Sequence, residues 1–153
     1  MYQIIEKMFE GEEFKSVFEV GCANGGLLRD IGGVVGGIDR HESDLQKSKD
    51  LFPDDKDNFI LRDLTDVPWP VNRIYDIVFS VGTLMYLENP TPVIKEMMRI
   101  GRKVILAEPV SGESITDHHG LRRYHDYEKI LKEFGEVEVV GEVNNKTIFK
   151  CQK

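Results

Sequence analysis

The stretch Ser16-Val-Phe-Glu-Val-Gly-Cys-Ala-Asn-Gly-Gly-Leu-Leu28 limits the fold more than any other part of the chain. It opens with Val17, Phe18 and Val20, the apolar, β-prone composition of a short buried strand. It then turns through Gly21, Gly25 and Gly26 and resumes with Leu27, Leu28 and Ile31 at helical spacing, which predicts a helix near 25–31. A strand, a glycine turn and a helix start make a place where a ligand can lie against bare backbone. Glycine removes the Cβ that would block close approach, and the first N–H groups of a helix face outward without partners. An ordinary tight turn would also use glycine. Glu19 before the turn and Asp39 at the end of the next apolar run set this one apart.

From there the chain alternates. Residues 2–9 predict a short amphipathic helix with Ile4, Ile5, Met8 and Phe9 on one side, so 1–15 is a brief helical lead into a core starting near 16. Strands are expected at 16–20, at 34–38 ending in Asp39, at 58–62 closed by Asp63, at 75–80 and at 103–108, halted by Pro109. Ser43 with Gln46 gives a capping-box signal for a helix that stops near Leu51, because Pro53 follows. Pro68 and Pro70 around Trp69 leave no room for a long helix in the link 64–74. Pro90 and Pro92 open a helix that carries Val93, Ile94, Met97, Met98 and Ile100 on one apolar face. Residues 111–123 have no periodicity and are expected to be a loop, and 126–134 an amphipathic helix capped by Gly135. Runs at 137–142 and 147–151 flank Asn144-Asn145, a hairpin turn, since asparagine tolerates left-handed dihedrals.

Strands alternating with helices predict an α/β fold. It is a Rossmann-like, doubly wound, seven-stranded and mostly parallel sheet with helices on both faces and an antiparallel C-terminal hairpin. Ligands in such sheets bind beyond the carboxyl ends of the strands, where strand order reverses. Gly21, Asp39, Asp63 and Ser80 end successive strands, so that rim is the expected site. At 153 residues, 41% hydrophobic and 31% charged, the chain (1–153) reads as one soluble globular domain. No apolar run reaches the roughly 20 residues of a membrane span, and the first ten residues lack a signal-peptide profile. A net charge of −7 argues against nucleic acid. Two cysteines, Cys22 and Cys151, make neither a disulfide framework nor a metal quartet, and a cytoplasmic setting with reduced thiols is expected. A monomer or homodimer is the expected state, and no metal is expected.

In order along the chain these residues resemble class I S-adenosylmethionine-dependent methyltransferases of the small-molecule type. Glu19-Val-Gly21-Cys22-Ala23-Asn24-Gly25 is similar to that family's acidic-x-Gly-x-Gly-x-Gly loop, with Ala23 in place of the middle glycine. Asp39 matches the acidic residue after strand two, and Asp63-Leu64 the one after strand three. Val67-Pro-Trp-Pro70, Tyr75-Asp76-Ile-Val78, Met85-Tyr-Leu87, Glu96-Met-Met-Arg99 and the run 103–109 resemble the segments that follow. The resemblance extends from about residue 15 to the end, and the family's antiparallel seventh strand suits the terminal hairpin. Only the start is shorter than in most relatives.

The resemblance implies S-adenosylmethionine as cofactor, S-adenosylhomocysteine as product and a small-molecule acceptor. It implies that the loop Gly21–Gly25 packs against the methionine portion and ribose, and that Glu19 accepts from loop amides or, through water, from the cofactor ammonium. Asp39, followed by Arg40, would take both ribose hydroxyls, as two carboxylate oxygens can. Asp63 and the Leu64 N–H would read the adenine, and Ser80 and Val81 would lie beneath the sulfonium. No catalytic side chain is assigned, because alignment and a dry site can suffice. His118, His119 and His125 are candidate bases, and Met85, Tyr86 and Tyr124 candidate pocket residues. Two alternatives remain at this point. Gly21-x-Ala23-x-x-Gly26 with Asp39 also fits an NAD(P)-binding Rossmann domain loosely, and a non-catalytic, cofactor-binding partner subunit would keep the same residues.

Overall fold

A computed structural model describes residues 2–153. Five strands run parallel: β1 (Ser16–Val20), β2 (Val34–Asp39), β3 (Phe59–Leu61), β4 (Tyr75–Val81) and β5 (Gly101–Glu108). A two-stranded hairpin of its own, β6 (Thr116–Asp117) with β7 (Gly120–Leu121), lies in the segment expected to be loop. The chain ends with β8 (Glu136–Val143) and β9 (Lys146–Gln152), joined through Asn144 and Asn145 at φ 51° and 60°. The main sheet has seven strands in the order β3-β2-β1-β4-β5-β9-β8, with β9 antiparallel to both neighbours. Strand order reverses between β1 and β4, so the crevice expected of a doubly wound sheet opens there.

The alternation of side chains along β1 explains why both faces are covered. Val17 and Phe18 point to opposite sides and both are fully buried. On one face Phe18, Val78, Val104 and Phe149 pack with Trp69 and with α3 (Thr91–Ile100) and α4 (Tyr127–Lys132). On the other, Val17, Ile77, Phe79 and Ile105 pack with α1 (Tyr2–Phe9), Leu28 and α2 (Glu42–Leu51). Each such buried side chain contributes about 1.5–3 kcal/mol relative to exposure. The Pro-Trp-Pro link has no helix to satisfy its backbone, and α3 supplies the partners instead. Glu96 accepts from Trp69 N at 2.7 Å, while Arg99 donates to the carbonyls of Trp69 and Val71.

Three local expectations are corrected. The helix near 25–31 is only a 3-10 turn at Leu28–Asp30, because Gly25, Gly32 and Gly33 all have φ between 76° and 83° and leave no room for regular turns. The capping box at Ser43 and Gln46 does not form. The helix begins at Glu42 after His41, without a side-chain cap, and Gln46 reaches forward to Asp50. Gly135 is not a left-handed cap; a Cβ there would overlap the Gln152 carbonyl oxygen, so its lack of a side chain lets the chain pass from α4 into β8 against β9.

Candidate functional site

The loop after β1 is held through its main-chain groups, some bonded to backbone and some to side chains. Gly21 N and Cys22 N both donate to the Ile38 carbonyl, at 2.9 and 3.2 Å, which folds the loop across the end of β2. Gly21 has φ +76°, and a Cβ there would sit 2.5 Å from the Thr83 side chain. Ala23 also occupies the left-handed region, at φ 44°, where a Cβ costs about 1–2 kcal/mol. Two side chains offset that strain. Asp39 Oδ2 accepts from Ala23 N at 2.9 Å, and the buried Ser48 Oγ donates to the Ala23 carbonyl at 2.8 Å. Asn24 accepts from Gly26 N, an Asx turn, while Gly25 N donates to the Cys22 carbonyl. Cys22 is buried and its thiol is pushed well up by burial and then by the charges of Glu19 and Asp39.

The three expected carboxylates sit in unlike surroundings. Glu19 is 3% exposed, and its Oε2 is buried without a partner among the described residues. Burial, then the nearby charge of Asp39, holds its carboxyl well above the usual range. Among the described residues it accepts nothing from the loop amides: Gly21 N and Cys22 N go to Ile38, Ala23 N to Asp39 and Gly25 N to Cys22. Asp39 is nearly buried; besides Ala23 N it accepts from His41 N at 2.9 Å through Oδ1, which also lies 3.1 Å from His41 Nδ1. Asp63 is exposed and accepts from Thr65 N and Thr65 Oγ1, bonds that hold its carboxyl below the usual range.

These loops border a cavity of about 1070 Å³. Glu19, Gly21, Cys22, Ala23, Asn24, Asp39, Arg40, Asp63, Leu64 and Val81 line it; Gly25 and Ser80 do not. Ser80 is buried, and its hydroxyl turns back to donate to Glu108 Oε1 at 3.1 Å. The same Glu108 oxygen accepts from Thr83 N and Leu84 N, so one buried carboxylate fixes the cavity wall that follows β4. Burial pushes the Glu108 carboxyl up to about 7 despite those bonds. Its Oε2 and the hydroxyl of buried Tyr127 have no partner among the described residues.

The β6–β7 hairpin closes over this wall. Asp117 accepts from Tyr86 Oη and Arg122 Nε, both at 2.8 Å, and Arg123 N donates to the Met85 carbonyl at 2.8 Å. Although desolvation opposes it, bonds from His119 N, Tyr86 and Arg122 hold Asp117 well below the usual carboxylate range. Met85, Tyr86, His118 and His119 line the cavity, whereas His125 is tied to the Leu87 carbonyl and Tyr124 to that of Glu113. No group of three or more metal-ligating side chains converges among the described residues. Sequence reading missed Thr83, Glu108, Arg123 and Lys146. An acid ending an apolar strand was visible at Glu108; Lys146 carries no local signal, since only the hairpin's position beside β5 brings it to the cavity.

Comparison with known proteins agrees with this geometry. A family model described as a methyltransferase domain matches residues 18–104. No curated protein sequence matches. Among solved structures, DesVI of Streptomyces venezuelae superposes with a TM-score of 0.74 at 14% identity, over 99% of this chain and 89% of that one. Magnesium protoporphyrin IX methyltransferase from Synechocystis, solved with S-adenosylmethionine bound, gives 0.67 at 17% identity, over 99% and 77%. WbdD, a bifunctional kinase-methyltransferase, gives 0.71 at 15% identity, and this chain spans 98% of itself but only 40% of that protein. The match across β1 to β5 sets the dinucleotide alternative aside. With the order of the sheet and a family match over residues 18–104, the chain belongs to the methyltransferase-domain family, the class I S-adenosylmethionine-dependent methyltransferases.

Proposed function

We propose that this chain transfers the methyl group of S-adenosylmethionine to a small-molecule acceptor by in-line displacement. One observation carries the reading: the unpartnered, buried Oε2 of Glu19 on the wall of the cavity, beside the second carboxylate of Asp39. Burial and the Asp39 charge disfavour the ionised form of Glu19, and a cationic ligand between the loop and β2 would restore it. An ammonium and a sulfonium answer that need, and the bare backbone at Gly21 admits the chain that joins them.

Bound there, S-adenosylmethionine supplies a methyl group on a sulfonium whose leaving group is a neutral thioether. The chain's own residues bind, orient and keep out water. Gly21, Cys22, Ala23, Asn24 and Gly25 form the loop against the methionine portion and ribose. Asp39 keeps one acceptor site on Oδ2 beside that used by Ala23 N and, when His41 Nδ1 does not donate to it, one on Oδ1, so it can accept two ribose hydroxyls in that tautomer. Arg40 lies at the rim next to Asp63, whose free oxygen and the neighbouring Leu64 N–H suit an adenine edge. Val81 ends β4 below the sulfonium on the cavity wall, and Ser80 behind it acts through Glu108, to which its hydroxyl donates. His41, His118 and His119 line the cavity; His41 is turned to Asp39, which leaves His118 and His119 as the candidate bases, and alignment of the acceptor with the methyl supplies most of the rest. We read residues 1–153 as one such domain, working in the cytoplasm as a monomer or homodimer. No helix among the described residues is long and apolar enough to cross a membrane.

Asp39→Ala should weaken S-adenosylhomocysteine binding by about 1.5–3 kcal/mol, the scale for a charged hydrogen-bonded group. Calorimetric titration of variant and parent measures this, with circular dichroism to confirm the fold. An unchanged dissociation constant removes Asp39 from the site, and a parent protein that binds no S-adenosylhomocysteine ends the reading.

A further inference from the structure

Charge around the cavity is divided. Glu19, Asp39 and Asp63 ring the end formed after β1, β2 and β3, where the exposed Arg29 and Arg40 also stand. The opposite wall, built on Gly82–Leu87 and the two hairpins, presents Lys146 and Arg123, with the exposed Glu88 at its edge. Lys146 is half-buried, its stem laid against Gly82, where a Cβ would come 2.9 Å from Lys146 Cε. Arg123 is half-buried too, and its guanidinium meets only the carbonyls of Tyr86 and Leu121, at 3.2 and 3.4 Å. Among the described residues neither has a carboxylate within ion-pair distance. By contrast Arg62, Lys103, Arg122 and Lys150, of similar or deeper burial, are each paired with an acid. A partly desolvated cation without a counter-ion is unfavourable unless a partner arrives. Here the empty side of both cations is the cavity itself.

We propose that the acceptor carries an anionic oxygen group, a carboxylate or a phosphate, and that Lys146 and Arg123 grip it. This rests on the methyl-transfer reading above. Lys146 supplies a compact charge on a flexible stem and Arg123 a planar fork with three donors left over after its two carbonyl bonds, a pairing that suits either anion. The group held is the one that does not react: gripping it positions the rest of the acceptor toward the end of β4.

The test uses the full chain saturated with S-adenosylhomocysteine, and matched probes: benzoate against benzamide, and phenyl phosphate against phenol. Ligand-observed NMR titration should show at least one anion binding tenfold or more tighter than its neutral partner. Lys146→Gln and Arg123→Gln should each reduce that preference about tenfold, Lys146→Arg should restore most of it, and the dissociation constant for S-adenosylhomocysteine should stay within twofold. Anions that bind no better than the neutral probes, with binding of neither included, overturn the proposal. So does a Lys146→Gln variant that weakens S-adenosylhomocysteine but not 5′-methylthioadenosine, because Lys146 would then hold the cofactor's own carboxylate. A parent protein that fails to bind S-adenosylhomocysteine is read in a separate titration and sinks the cofactor reading itself.

Discussion

The two walls of the cavity are built on opposite principles. The wall after β1 and β2 is a few consecutive residues held through their main-chain groups, Gly21 and Cys22 on the Ile38 carbonyl and Ala23 between the side chains of Asp39 and Ser48. The wall after β4 is gathered from distant parts of the chain. Glu108 fixes Thr83 and Leu84, Asp117 fixes Tyr86, and Lys146 comes from the last hairpin. A cofactor common to a whole family asks for the same backbone everywhere, which local sequence can encode. On the reading proposed above, the acceptor would be met by side chains gathered on the second wall, away from that backbone.

The comparison can be broken most sharply at Glu108. Its carboxyl titrates near 4.5 unfolded and near 7 folded, so the folded state keeps a proton that the unfolded state has lost. Its contribution is therefore complete below about pH 4.5 and falls away as pH rises to 7, by about 3 kcal/mol in all. Glu108→Gln keeps an acceptor for Thr83 N and Leu84 N and should remove this share of the slope. Urea unfolding at pH 5 and pH 8 compares the two proteins, and parallel slopes would show that the second wall does not hang on this carboxyl. Next comes Gly21→Ala, which should cost about 2 kcal/mol from left-handed backbone alone, plus overlap with Thr83. Adding Thr83→Ala should recover the overlap and leave the backbone cost, so a double-mutant cycle separates the two. A full rescue would mean that the left-handed backbone at Gly21 carries no cost of its own. The smallest effect has the opposite sign. Ala23→Gly should raise stability by about 1 kcal/mol, seen as a higher thermal midpoint, with S-adenosylhomocysteine affinity within twofold.

The first wall was legible and the second was not, for the same physical reason. Gly21, Asp39 and Asp63 each close a strand whose apolar run is continuous in sequence, so their place at the rim follows from strand order alone. The seven strands and the terminal hairpin were legible too, since each is a β-prone run between turn residues. Arg123 and Lys146 depend on how a hairpin docks over the sheet, and Lys146 on β9 slotting between β5 and β8. The helix expected at 25–31 failed because apolar spacing ignored what Gly25, Gly32 and Gly33 do to the backbone on either side. The β6–β7 hairpin escaped because its strands are two residues long, too short for any period to show.

The position of β3 and β8 at the two ends of the sheet has a consequence for how the molecule behaves in company. An open strand end-on to solvent is a template for another chain. β3 offers only three residues, too few to recruit one. β8 offers eight, but Glu136, Glu138 and Glu142 stand exposed along it and a bulge at Val139–Gly141 breaks its register. One border is guarded by brevity and the other by like charge, so acidification disarms only the second, and clumping of the protein at low pH would begin along β8.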